Sequence, residues 1–425
     1  MGQNLSPEVV AVGEGSRRLY TERTTCRACG GGDLETALNL GNLSLIAFPK
    51  KEEAEEAAAR RAPLDLCVCP ACHLAQLRHT VSRDSMFRQF WYLSGVNDSM
   101  KKELADLVRF ANDYVRLAAG DVVIDIGSND GTLLKNYERQ GLTLLGFEPA
   151  LNMPAIPPFI LNIPTYFTAA EARAVIGTKK AKIIFAIAIF YDVEEPLGFL
   201  QDVADVLADD GVLVVQMNYL PTMLKNNTFD DICHEHVTYW SLSTLKPLLD
   251  KVGLKIVHAE TNRVNGGSIR MAIKKHGFVV ASVPLLMQDE GHHGWMRGME
   301  PYLAFGSKCK QVAYRLYNAL LRFSSHEMRT YVYGASTRGT TILEYANITF
   351  PMVLKAADRN PQKWGREMVG TGIPIVSEEE ARADNPDFFL VLPYSFLPEF
   401  EVREAKWRAN GGKWIIPLPE PRVLL

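Results

Sequence analysis

Four cysteines in the N-terminal region have the spacing of a metal site. Cys26 and Cys29 form one pair separated by two residues, and Cys69 and Cys72 form a second pair. Two such pairs brought together complete the tetrahedral thiolate shell that zinc prefers, with no open position for a catalytic water. Cys67 lies outside this spacing. We therefore predict a structural zinc ion, with four reduced core cysteines as the alternative.

A second group of reactive side chains consists of the consecutive residues His234, Glu235 and His236. Two imidazoles beside a carboxylate concentrate acid and base groups, and a neutral imidazole can remove a proton near pH 7. The spacing differs from the H-E-x-x-H of zinc proteases, and histidines two positions apart diverge on a helix, which disfavours a metal site. The alternative is a loop whose polar side chains only satisfy one another.

The segment DIGSNDG follows a buried strand predicted at 121–125 and precedes a helix predicted to begin near Leu133. Its glycines let the backbone turn tightly and approach a ligand at the helix N-terminus. Glu148 ends the next predicted strand, where a carboxylate can bind both hydroxyls of a ribose. Taken alone, the segment also fits an ordinary turn between strand and helix. The predicted cofactor-binding residues are Asp125, Gly127, Asn129, Asp130, Gly131 and Glu148.

A further glycine-containing turn, YGASTRG, follows a predicted strand in the C-terminal part of the chain. The N–H groups of such a turn can hold a phosphate. Asp358 and Lys363 fit either a nucleotide contact or a surface salt bridge, and Arg270 fits either a phosphate contact or an internal ion pair. The candidate substrate-binding residues are Asn265, Ser268, Arg270, Gly334, Ser336, Thr337, Arg338, Asp358 and Lys363.

The elements that must position these groups alternate between short apolar runs and helical segments. The runs LTLLGFEP, KIIFAIAIF and GVLVVQMNYL follow an amphipathic helix predicted at 98–119 and alternate with helices such as 197–207. A long helix at 301–329 precedes a second series, from TYVYGAS to GKWIIPL. We expect two α/β domains with parallel sheets. Between the cysteine pairs, 50–61 is predicted to form a solvated helix.

The composition is that of an ordinary globular protein. With 425 residues the chain exceeds one hydrophobic core, and its net charge of -3 shows no basic footprint for nucleic acid. No apolar run reaches the length of a membrane span or forms a secretory signal. We therefore expect a cytoplasmic protein that binds neither nucleic acid nor membrane. The oligomeric state is left open, and a monomer is compatible with the sequence.

The motifs, taken together, resemble those of a known family. DIGSNDG with Glu148 is similar to the nucleoside-binding motifs of class I S-adenosylmethionine methyltransferases. The cysteine pairs ending in CHLAQL, then IDIGSNDGTLL, HEH, NGGSIR and YGASTRG, occur in that order over about residues 24–420. This ordered set resembles the zinc-containing sugar C-methyltransferases of nucleotide-linked deoxysugar biosynthesis, which include the tetronitrose C-3′-methyltransferase.

The resemblance implies an N-terminal arm and zinc-binding module at 1–82, a Rossmann-like methyltransferase domain at 83–298 and a second Rossmann-like domain at 299–425. It also implies methyl transfer from S-adenosylmethionine to C3 of a nucleotide-linked 4-keto-6-deoxy sugar. The keto group acidifies the neighbouring C–H bond, so that a modest base can generate an enolate that attacks the methyl group in line. His236 is the implied base, and Glu235 is expected to orient or polarise it.

Two positions depart from the family pattern. Cys233 stands where relatives carry tyrosine, and Asp192 stands where they carry histidine. Cys233 is interpreted as a small core residue or a supporting donor. Tyr191 and Asp192, at a strand's carboxyl end, are expected to supply substitute polar groups, and Tyr92 is either near the substrate or a core aromatic residue. The candidate catalytic residues are His236, Glu235, His234, Tyr92, Tyr191 and Asp192.

These departures indicate a different sugar or a different stereochemistry of reprotonation. Two other functions stay open at this point. One is methyl transfer to oxygen or nitrogen of another small metabolite, and the other is a non-catalytic zinc scaffold with a vestigial methyltransferase fold. The sequence does not specify whether the nucleotide is TDP, GDP or CDP.

Overall fold

The computed structural model of the chain describes residues 19–45, 48–138, 141–294 and 298–425. The arm expected at the N-terminus therefore lies almost wholly outside the described residues. Within them the chain forms four β-sheets, two of which have seven strands each. Both large sheets are mainly parallel and alternate with helices, which confirms the α/β class expected from the sequence.

The N-terminal region forms a two-stranded and a four-stranded antiparallel sheet. Strand β3 is almost fully buried because β2 and β4 flank it. The helix expected at 50–61 is present as a 3-10 helix at Lys51–Glu53 followed by the short helix α1, and it lies between the longer strands β2 and β3. The elements are β1 (Tyr20–Glu22), β2 (Glu35–Ser44), α1 (Ala54–Ala59), β3 (Arg61–Val68), β4 (Ala75–Leu77), β5 (His79–Val81) and α2 (Arg83–Phe87).

The central sheet has the strand order β12-β13-β10-β9-β6-β7-β8, in which β13 runs antiparallel to the other six strands. The order reverses between β6 and β9, and ligands of open α/β sheets bind at the carboxyl ends of strands beside such a point. Its elements are α3 (Asp98–Asn112), β6 (Val122–Ile126), β7 (Thr143–Phe147), β8 (Ile160–Ile163), α4 (Ala169–Ile176), β9 (Ala181–Ile187), α5 (Pro196–Val206), β10 (Leu207–Asn218), α6 (Leu220–Asn226), β11 (Thr238–Tyr239), α7 (Leu242–Asp250), β12 (Lys255–Asn262) and β13 (Ser268–Lys274).

Helix α3 covers one face of this sheet with the stripe that its sequence predicts. Met100, Leu104, Leu107 and Ala111 recur at helical spacing and are buried with residues of the sheet. The helix expected near Leu133 is different, because the structure has only a short 3-10 helix at Leu134–Tyr137. The turn DIGSNDG is therefore not followed by an α-helix dipole, and its ligand-binding capacity rests on its own backbone and side chains.

The second large sheet has the order β16-β17-β15-β14-β18-β19-β20 and its strand order reverses between β14 and β18. The loops after these two strands therefore form its ligand-binding edge. The elements are α8 (Ser282–His292), α9 (Glu300–Ser325), β14 (Thr330–Tyr333), α10 (Thr337–Tyr345), β15 (Ala356–Asp358), β16 (Glu367–Met368), β17 (Ile373–Ser377), α11 (Glu378–Ala383), β18 (Phe388–Val391), α12 (Leu397–Arg403), α13 (Ala405–Ala409), β19 (Lys413–Ile416) and β20 (Arg422–Leu424).

The N-terminal sheet lies between the two large sheets rather than at one end of the molecule. Its residues Leu40 and Leu66 belong to a hydrophobic core with Leu316 of α9 and Val332 of β14. Its cysteine region packs instead with the central domain around Trp240. Strand β11, from the central part of the chain, completes the N-terminal sheet by pairing with β4. None of the helices in the described ranges is long and apolar enough to cross a membrane.

Candidate functional site

The structure gathers the four cysteines of the predicted metal site. Their Sγ atoms all lie within 4.8 Å of one another. The Sγ atoms of Cys26 and Cys72 are 3.5 Å apart, and those of Cys29 and Cys69 are 3.6 Å apart. A tetrahedron with zinc–sulfur bonds of about 2.3 Å has edges of about 3.8 Å, so the four thiolates fit a zinc ion. Cys67 donates to the Gln76 carbonyl instead and stays outside the cluster.

One residue of the first cysteine pair reaches the central domain. Arg27, between Cys26 and Cys29, is buried, and its guanidinium donates to the Leu77 carbonyl at 2.5 Å and to the Thr80 hydroxyl at 2.6 Å. Its Nε also pairs with Glu194 at 3.2 Å. Glu194 and Thr80 both border the cavity described below. The metal module therefore supports part of the cavity wall, a role that the spacing of the cysteines does not indicate.

A cavity of about 910 Å³ runs between the central sheet, the N-terminal module and the second large sheet. It borders the carboxyl ends of β6, β7 and β9 in the central sheet and the loops after β14 and β18 in the second large sheet. In each sheet the strand order reverses at this edge. Of the predicted catalytic, cofactor-binding and substrate-binding residues, all line it except three, which are Asp130, Gly131 and Arg270.

The predicted cofactor loop lies at the central edge of this cavity. The Glu148 carboxylate, at the end of β7, accepts the main-chain N–H groups of Asn129 at 2.9 Å and Ala150 at 2.8 Å. Gly127 has a φ of 72°, and a Cβ there would lie 2.2 Å from Cδ1 of Ile189, so only glycine fits. Asn129 also donates to the Tyr92 carbonyl at 2.9 Å. The loop and Glu148 thus form one rigid edge of the cavity.

Asp130 and Gly131 support this loop without reaching the cavity. The Asp130 carboxylate accepts the N–H of Gly95 at 2.7 Å and the hydroxyl of Thr132 at 2.5 Å. Gly131 has a φ of 74°, in the left-handed region that favours glycine. Asp125, by contrast, lines the cavity, and burial raises the pKa of its carboxyl well above the usual range.

The HEH segment lies on the cavity wall opposite the cofactor loop. The Nδ1–H of His236 donates to the Asp231 carbonyl at 2.8 Å, because a carbonyl can only accept. This bond leaves Nε2 as the unprotonated nitrogen, and no described residue is hydrogen-bonded to it. Burial, and then the charge of Arg338, lowers the pKa of the imidazole to about 3, so the ring is neutral at neutral pH. His236 therefore presents a proton acceptor to the cavity.

His234 has a different environment. Its Nε2 donates to the carbonyl of Ala62 in β3 at 3.1 Å, and burial lowers its pKa to about 4. Although it borders the cavity, its imidazole is engaged by the N-terminal module. The two imidazoles of the motif therefore donate to main-chain carbonyls in different parts of the chain, His234 to Ala62 and His236 to Asp231.

The two positions that depart from the family pattern lie together beside His236. The ring of Tyr191 packs on that of His236 with 4.1 Å between centroids. Oδ1 of Asp192 is buried and has no hydrogen-bond partner in the described part of the chain. Burial and the charge of Glu235 raise the pKa of the Asp192 carboxyl well above its usual range. Burial likewise raises the pKa of Cys233, which excludes a reactive thiolate there.

Tyr92 lies at the cavity with 39% of its surface exposed, so the interpretation as a core aromatic residue does not hold. Burial of its hydroxyl raises its pKa above the usual range, and the group stays a neutral phenol. The Tyr92 segment is tied to the cofactor loop through Asn129. The phenol is thus placed to donate a hydrogen bond into the cavity.

The second glycine-containing turn also lines the cavity. Gly334 has a φ of 85°, and a Cβ there would lie 2.4 Å from the ring of Pro393. Ser336 caps α10 by accepting the N–H of Gly339 at 3.0 Å. Thr337 begins that helix and lines the cavity, and the first N–H groups of a helix have no carbonyl partner within it. These features fit an anion-binding edge.

The sequence left two possible roles open for Asp358 with Lys363 and for Arg270, and in the structure all three residues form ion pairs. Lys363 and Asp358 are 3.1 Å apart, but the pair is buried at the cavity rather than on the surface. Arg270 lies away from the cavity and is held by Glu103 at 2.7 Å, Asp106 at 2.8 Å and Glu260 at 3.3 Å. Of its two predicted roles, the structure has the internal ion pair.

Asn265 and Ser268, from the NGG turn, line the cavity. The Ser268 hydroxyl donates to the Val264 carbonyl at 2.9 Å, and the Asn265 carbonyl accepts from Arg338 at 3.1 Å. Asn265 has a φ of 53°, a conformation that asparagine tolerates. The turn therefore shapes the wall between the two sheets.

Several residues at the site were not predicted from the sequence. Arg338 pairs with Asp230 and Asp231, and the Tyr394 hydroxyl donates to Asp230 at 3.2 Å. Asp230 and Asp231 lie four and three residues before His234, and their closeness to the HEH segment was the available indication. Tyr394 follows β18, and only the topology of the second sheet brings it here.

Comparison with known proteins gives matches along most of the chain. Three family models match in order: a zinc binding domain at 26–87, a methyltransferase domain at 96–259 and a C-methyltransferase C-terminal domain at 263–419. The chain is 31% identical to the C-methyltransferase NovU of Streptomyces niveus over 408 residues, which are 94% of this chain and 96% of NovU.

Two solved methyltransferase structures resemble part of the chain. CalO1, a methyltransferase of calicheamicin biosynthesis with SAH bound, is 16% identical, with 41% of this chain and 54% of CalO1 covered and a TM-score of 0.32. The plantazolicin methyltransferase BpumL is 12% identical, with coverages of 42% and 87% and a TM-score of 0.33. The full-length likeness to NovU and the ordered domain matches show that the chain belongs to the family of S-adenosylmethionine-dependent C-methyltransferases with an N-terminal zinc-binding domain.

Proposed function

We propose that the enzyme methylates C3, a carbon next to the keto group, of a nucleotide-linked 4-keto-6-deoxy sugar, with His236 as the base. The observation that carries this proposal is one cavity that is lined by residues of three parts of the chain. These are Glu148 at the carboxyl end of the central sheet, His236 with its unprotonated Nε2, and the start of α10 beside the second sheet. A cytoplasmic location belongs to the proposal, because thiolate zinc ligands need a reducing compartment.

The central edge suits the nucleoside of the cofactor. Glu148 ends β7 beside the point where the strand order reverses, and its carboxylate faces the space where a ribose would lie. The absence of a side chain at Gly127 lets this loop pack closely against Ile189. S-adenosylmethionine, when bound, supplies an electrophilic methyl group. The residues of this edge therefore bind and orient, and none of them needs to transfer a proton.

The proton transfer is assigned to His236 and Asp192. Nε2 of His236 takes the proton from the carbon beside the ketone, and the electron pair of that C–H bond passes into an enolate. Asp192, whose raised pKa keeps its carboxyl protonated, donates a hydrogen bond to the developing enolate oxygen. A neutral base and a neutral acid in one cavity are the pair that enolisation of a ketone requires.

The nucleotide is assigned to the second sheet. The first N–H groups of α10, beside Gly334, offer donors to a diphosphate, and the Arg359 and Arg403 side chains border the same part of the cavity. The length of the cavity then separates the nucleotide from the reacting carbon. This arrangement supports a sugar linked to a nucleotide over a small free metabolite.

The test is incubation of the enzyme with S-adenosylmethionine and TDP-, GDP- and CDP-linked 4-keto-6-deoxy sugars. Mass spectrometry should show the gain of one methyl group on one of them, and NMR of the product should place that group on C3. C5 is also next to the keto group, so a methyl group there would retain the enolate chemistry and overturn the assigned position. A methyl group on oxygen or nitrogen would overturn the proposal altogether.

The role of His236 is tested in the same assay. His236→Gln should abolish the exchange of the substrate C–H with solvent deuterium and lower methyl transfer by roughly 100-fold or more. His276→Gln, at an exposed position, is the matched control and should leave both rates unchanged. Exchange that persists in His236→Gln at the rate of the unmodified enzyme would assign the base to another residue.

A further inference from the structure

Asp231 is hydrogen-bonded through both its side chain and its main chain, in two different directions. Its carbonyl accepts Nδ1–H of His236 at 2.8 Å. Its carboxylate pairs with the Arg338 guanidinium at 2.6 Å and accepts the Thr228 hydroxyl at 2.8 Å. The residue is 2% exposed. The position of the His236 ring therefore depends on a residue that Arg338 holds.

Arg338 comes from the other large sheet. It is the second residue of α10, and its guanidinium crosses to Asp230 at 2.7 Å and to Asp231, while also donating to the Asn265 carbonyl at 3.1 Å. The carboxylates of Asp230 and Asp231 raise the pKa of the Arg338 guanidinium above its usual range, so the guanidinium stays charged. Both aspartates are buried and arginine can bind two carboxylates with a fixed fork of donors. Both terminal nitrogens of the guanidinium are thus engaged by protein groups, while its buried Nε has no hydrogen-bond partner in the described part of the chain.

The same residue also takes part in the edge assigned to the diphosphate, through its main chain. The N–H groups at the start of α10 have no partner within the helix, since those of the first turn lack preceding carbonyls. A nucleotide bound there would contact the backbone of the residue whose side chain fixes Asp231. The nucleotide edge and the base are therefore linked through one arginine and one aspartate.

We propose that Arg338 is a positioning residue for the general base: its ion pairs with Asp230 and Asp231 hold the Asp231 carbonyl where it keeps the His236 ring in the orientation with Nε2 free. This inference rests on the proposed function for its kinetic consequence. The sequence indicated Arg338 only as a candidate substrate-binding residue of the YGASTRG turn. The geometric part of the inference concerns the protein alone and can be tested without a substrate.

The variant Arg338→Lys tests the kinetic consequence. Lysine keeps a positive charge between the buried aspartates but cannot bridge both in the same geometry. We expect kcat to fall roughly 10- to 100-fold because the base is misplaced, while KM for the nucleotide sugar and the Kd of the matching nucleoside diphosphate change less than about threefold. A tenfold rise in KM or Kd with unchanged kcat would identify Arg338 as a phosphate ligand and overturn the inference.

The matched control is Arg329→Lys, which changes an exposed arginine directly before β14 of the same sheet. It should leave kcat and KM at the values of the unmodified enzyme. Asp231→Asn serves as the second variant, because it removes the charge that Arg338 binds and keeps the main-chain carbonyl. It should show the same selective loss in kcat, and the double variant should lose little more than either single variant, since both break one interaction.

A measurement on the protein alone separates this inference from the proposed function. Selective ¹⁵N labelling of the nine histidines, with His236→Gln to identify the signal, reports which ring nitrogen carries the proton. We expect an Nδ1–H ring in the unmodified enzyme and in Arg329→Lys, and a mixture of tautomers in Arg338→Lys. An unchanged tautomer in Arg338→Lys would overturn the inference whether or not any sugar of the panel is methylated.

Discussion

His234 and His236 are two residues apart in sequence, yet the fold places their imidazoles against different hydrogen-bond partners. His234 donates to the Ala62 carbonyl in the N-terminal sheet, while His236 donates to the Asp231 carbonyl and keeps its other nitrogen free. The motif indicates acid and base capacity but does not assign it. The partner of each ring is a main-chain carbonyl from a different part of the chain, and it decides which ring nitrogen carries the proton.

The environment of His234 predicts a pH dependence of stability. Burial lowers its pKa to about 4, whereas in the unfolded chain the ordinary value is about 6.5. As the pH falls below 6.5, His234 binds a proton in the unfolded chain but not in the folded chain. The free energy of unfolding therefore falls as the pH falls. At pH 5 this difference in pKa lowers the free energy of unfolding by about 2 kcal/mol.

Denaturant unfolding at pH 7 and pH 5 measures this contribution. His234→Gln can still donate to the Ala62 carbonyl and should lose about 2 kcal/mol less than the unmodified enzyme between these pH values. His276→Gln, at an exposed site, should show the full loss. Equal losses in all three proteins would mean that His234 titrates normally in the folded state.

At the scale of elements, the carboxyl ends of two parallel sheets supply the site. Each sheet places a glycine of positive φ directly after one of its strands, Gly127 after β6 and Gly334 after β14. In both turns a neighbouring side chain, Ile189 at Gly127 and Pro393 at Gly334, lies so close that a Cβ on the glycine would collide with it. The HEH segment is held between them, on one side by the pairing of β11 with β4 and on the other by Arg338.

The turn after β6 can be tested with Gly127→Ala. Alanine at positive φ costs about 1–2 kcal/mol, and the new Cβ would also collide with Ile189 and displace the cofactor loop. We expect that destabilisation or more in urea unfolding, and S-adenosylmethionine binding weakened by roughly tenfold in calorimetry.

Gly120→Ala is the matched control for this change. Gly120 has a φ of 85°, but a Cβ there would meet nothing within 4 Å. It should therefore carry the backbone cost alone and leave cofactor affinity unchanged. Equal effects of the two substitutions on cofactor affinity would remove the contact with Ile189 as the reason for glycine at 127.

At the scale of the whole molecule, the zinc module connects the two α/β domains. Its strands share one hydrophobic core with α9 and the second sheet, and its cysteine region shares another with the central domain. Arg27 joins the metal site to Glu194 at the cavity wall, and Glu344 of α10 accepts hydrogen bonds from Ser44 of β2. Loss of the metal should therefore affect both domains and the cavity.

This coupling predicts that Cys69→Ser lowers the stability of the whole enzyme. Loss of one thiolate should remove zinc, measured by metal analysis, and reduce the free energy of unfolding by about 3 kcal/mol or more. Thermal unfolding should remain one transition at a lower temperature, because the module packs against both domains. The affinity for S-adenosylmethionine should fall with it.

Cys67→Ser is the matched control, since Cys67 is buried in the same strand region but lies outside the cluster and donates to the Gln76 carbonyl, as serine also can. It should keep its zinc and its cofactor affinity. Two separate unfolding transitions in Cys69→Ser, with the domains unaffected, would contradict the connecting role of the module.

The sequence by itself determined the features whose chemistry is contained in short segments. The cysteine pairs, the DIGSNDG turn with Glu148, the HEH triplet and the YGASTRG turn are each local in sequence, and the periodicity of apolar residues determined the alternation of strands and helices. These patterns predicted the α/β class, the zinc cluster and most of the residues around the cavity, because local backbone conformation and ligand chemistry depend on neighbouring residue types.

Only the tertiary structure decided which partners these residues meet. It placed Arg270 in an internal ion pair, turned the Arg338 side chain towards Asp230 and Asp231, and engaged His234 with the N-terminal sheet. Each of these contacts joins residues far apart in sequence, and a buried charge or donor takes whichever partner the packing brings near. A sequence can show that an arginine needs an acceptor, but the fold decides which acceptor it finds.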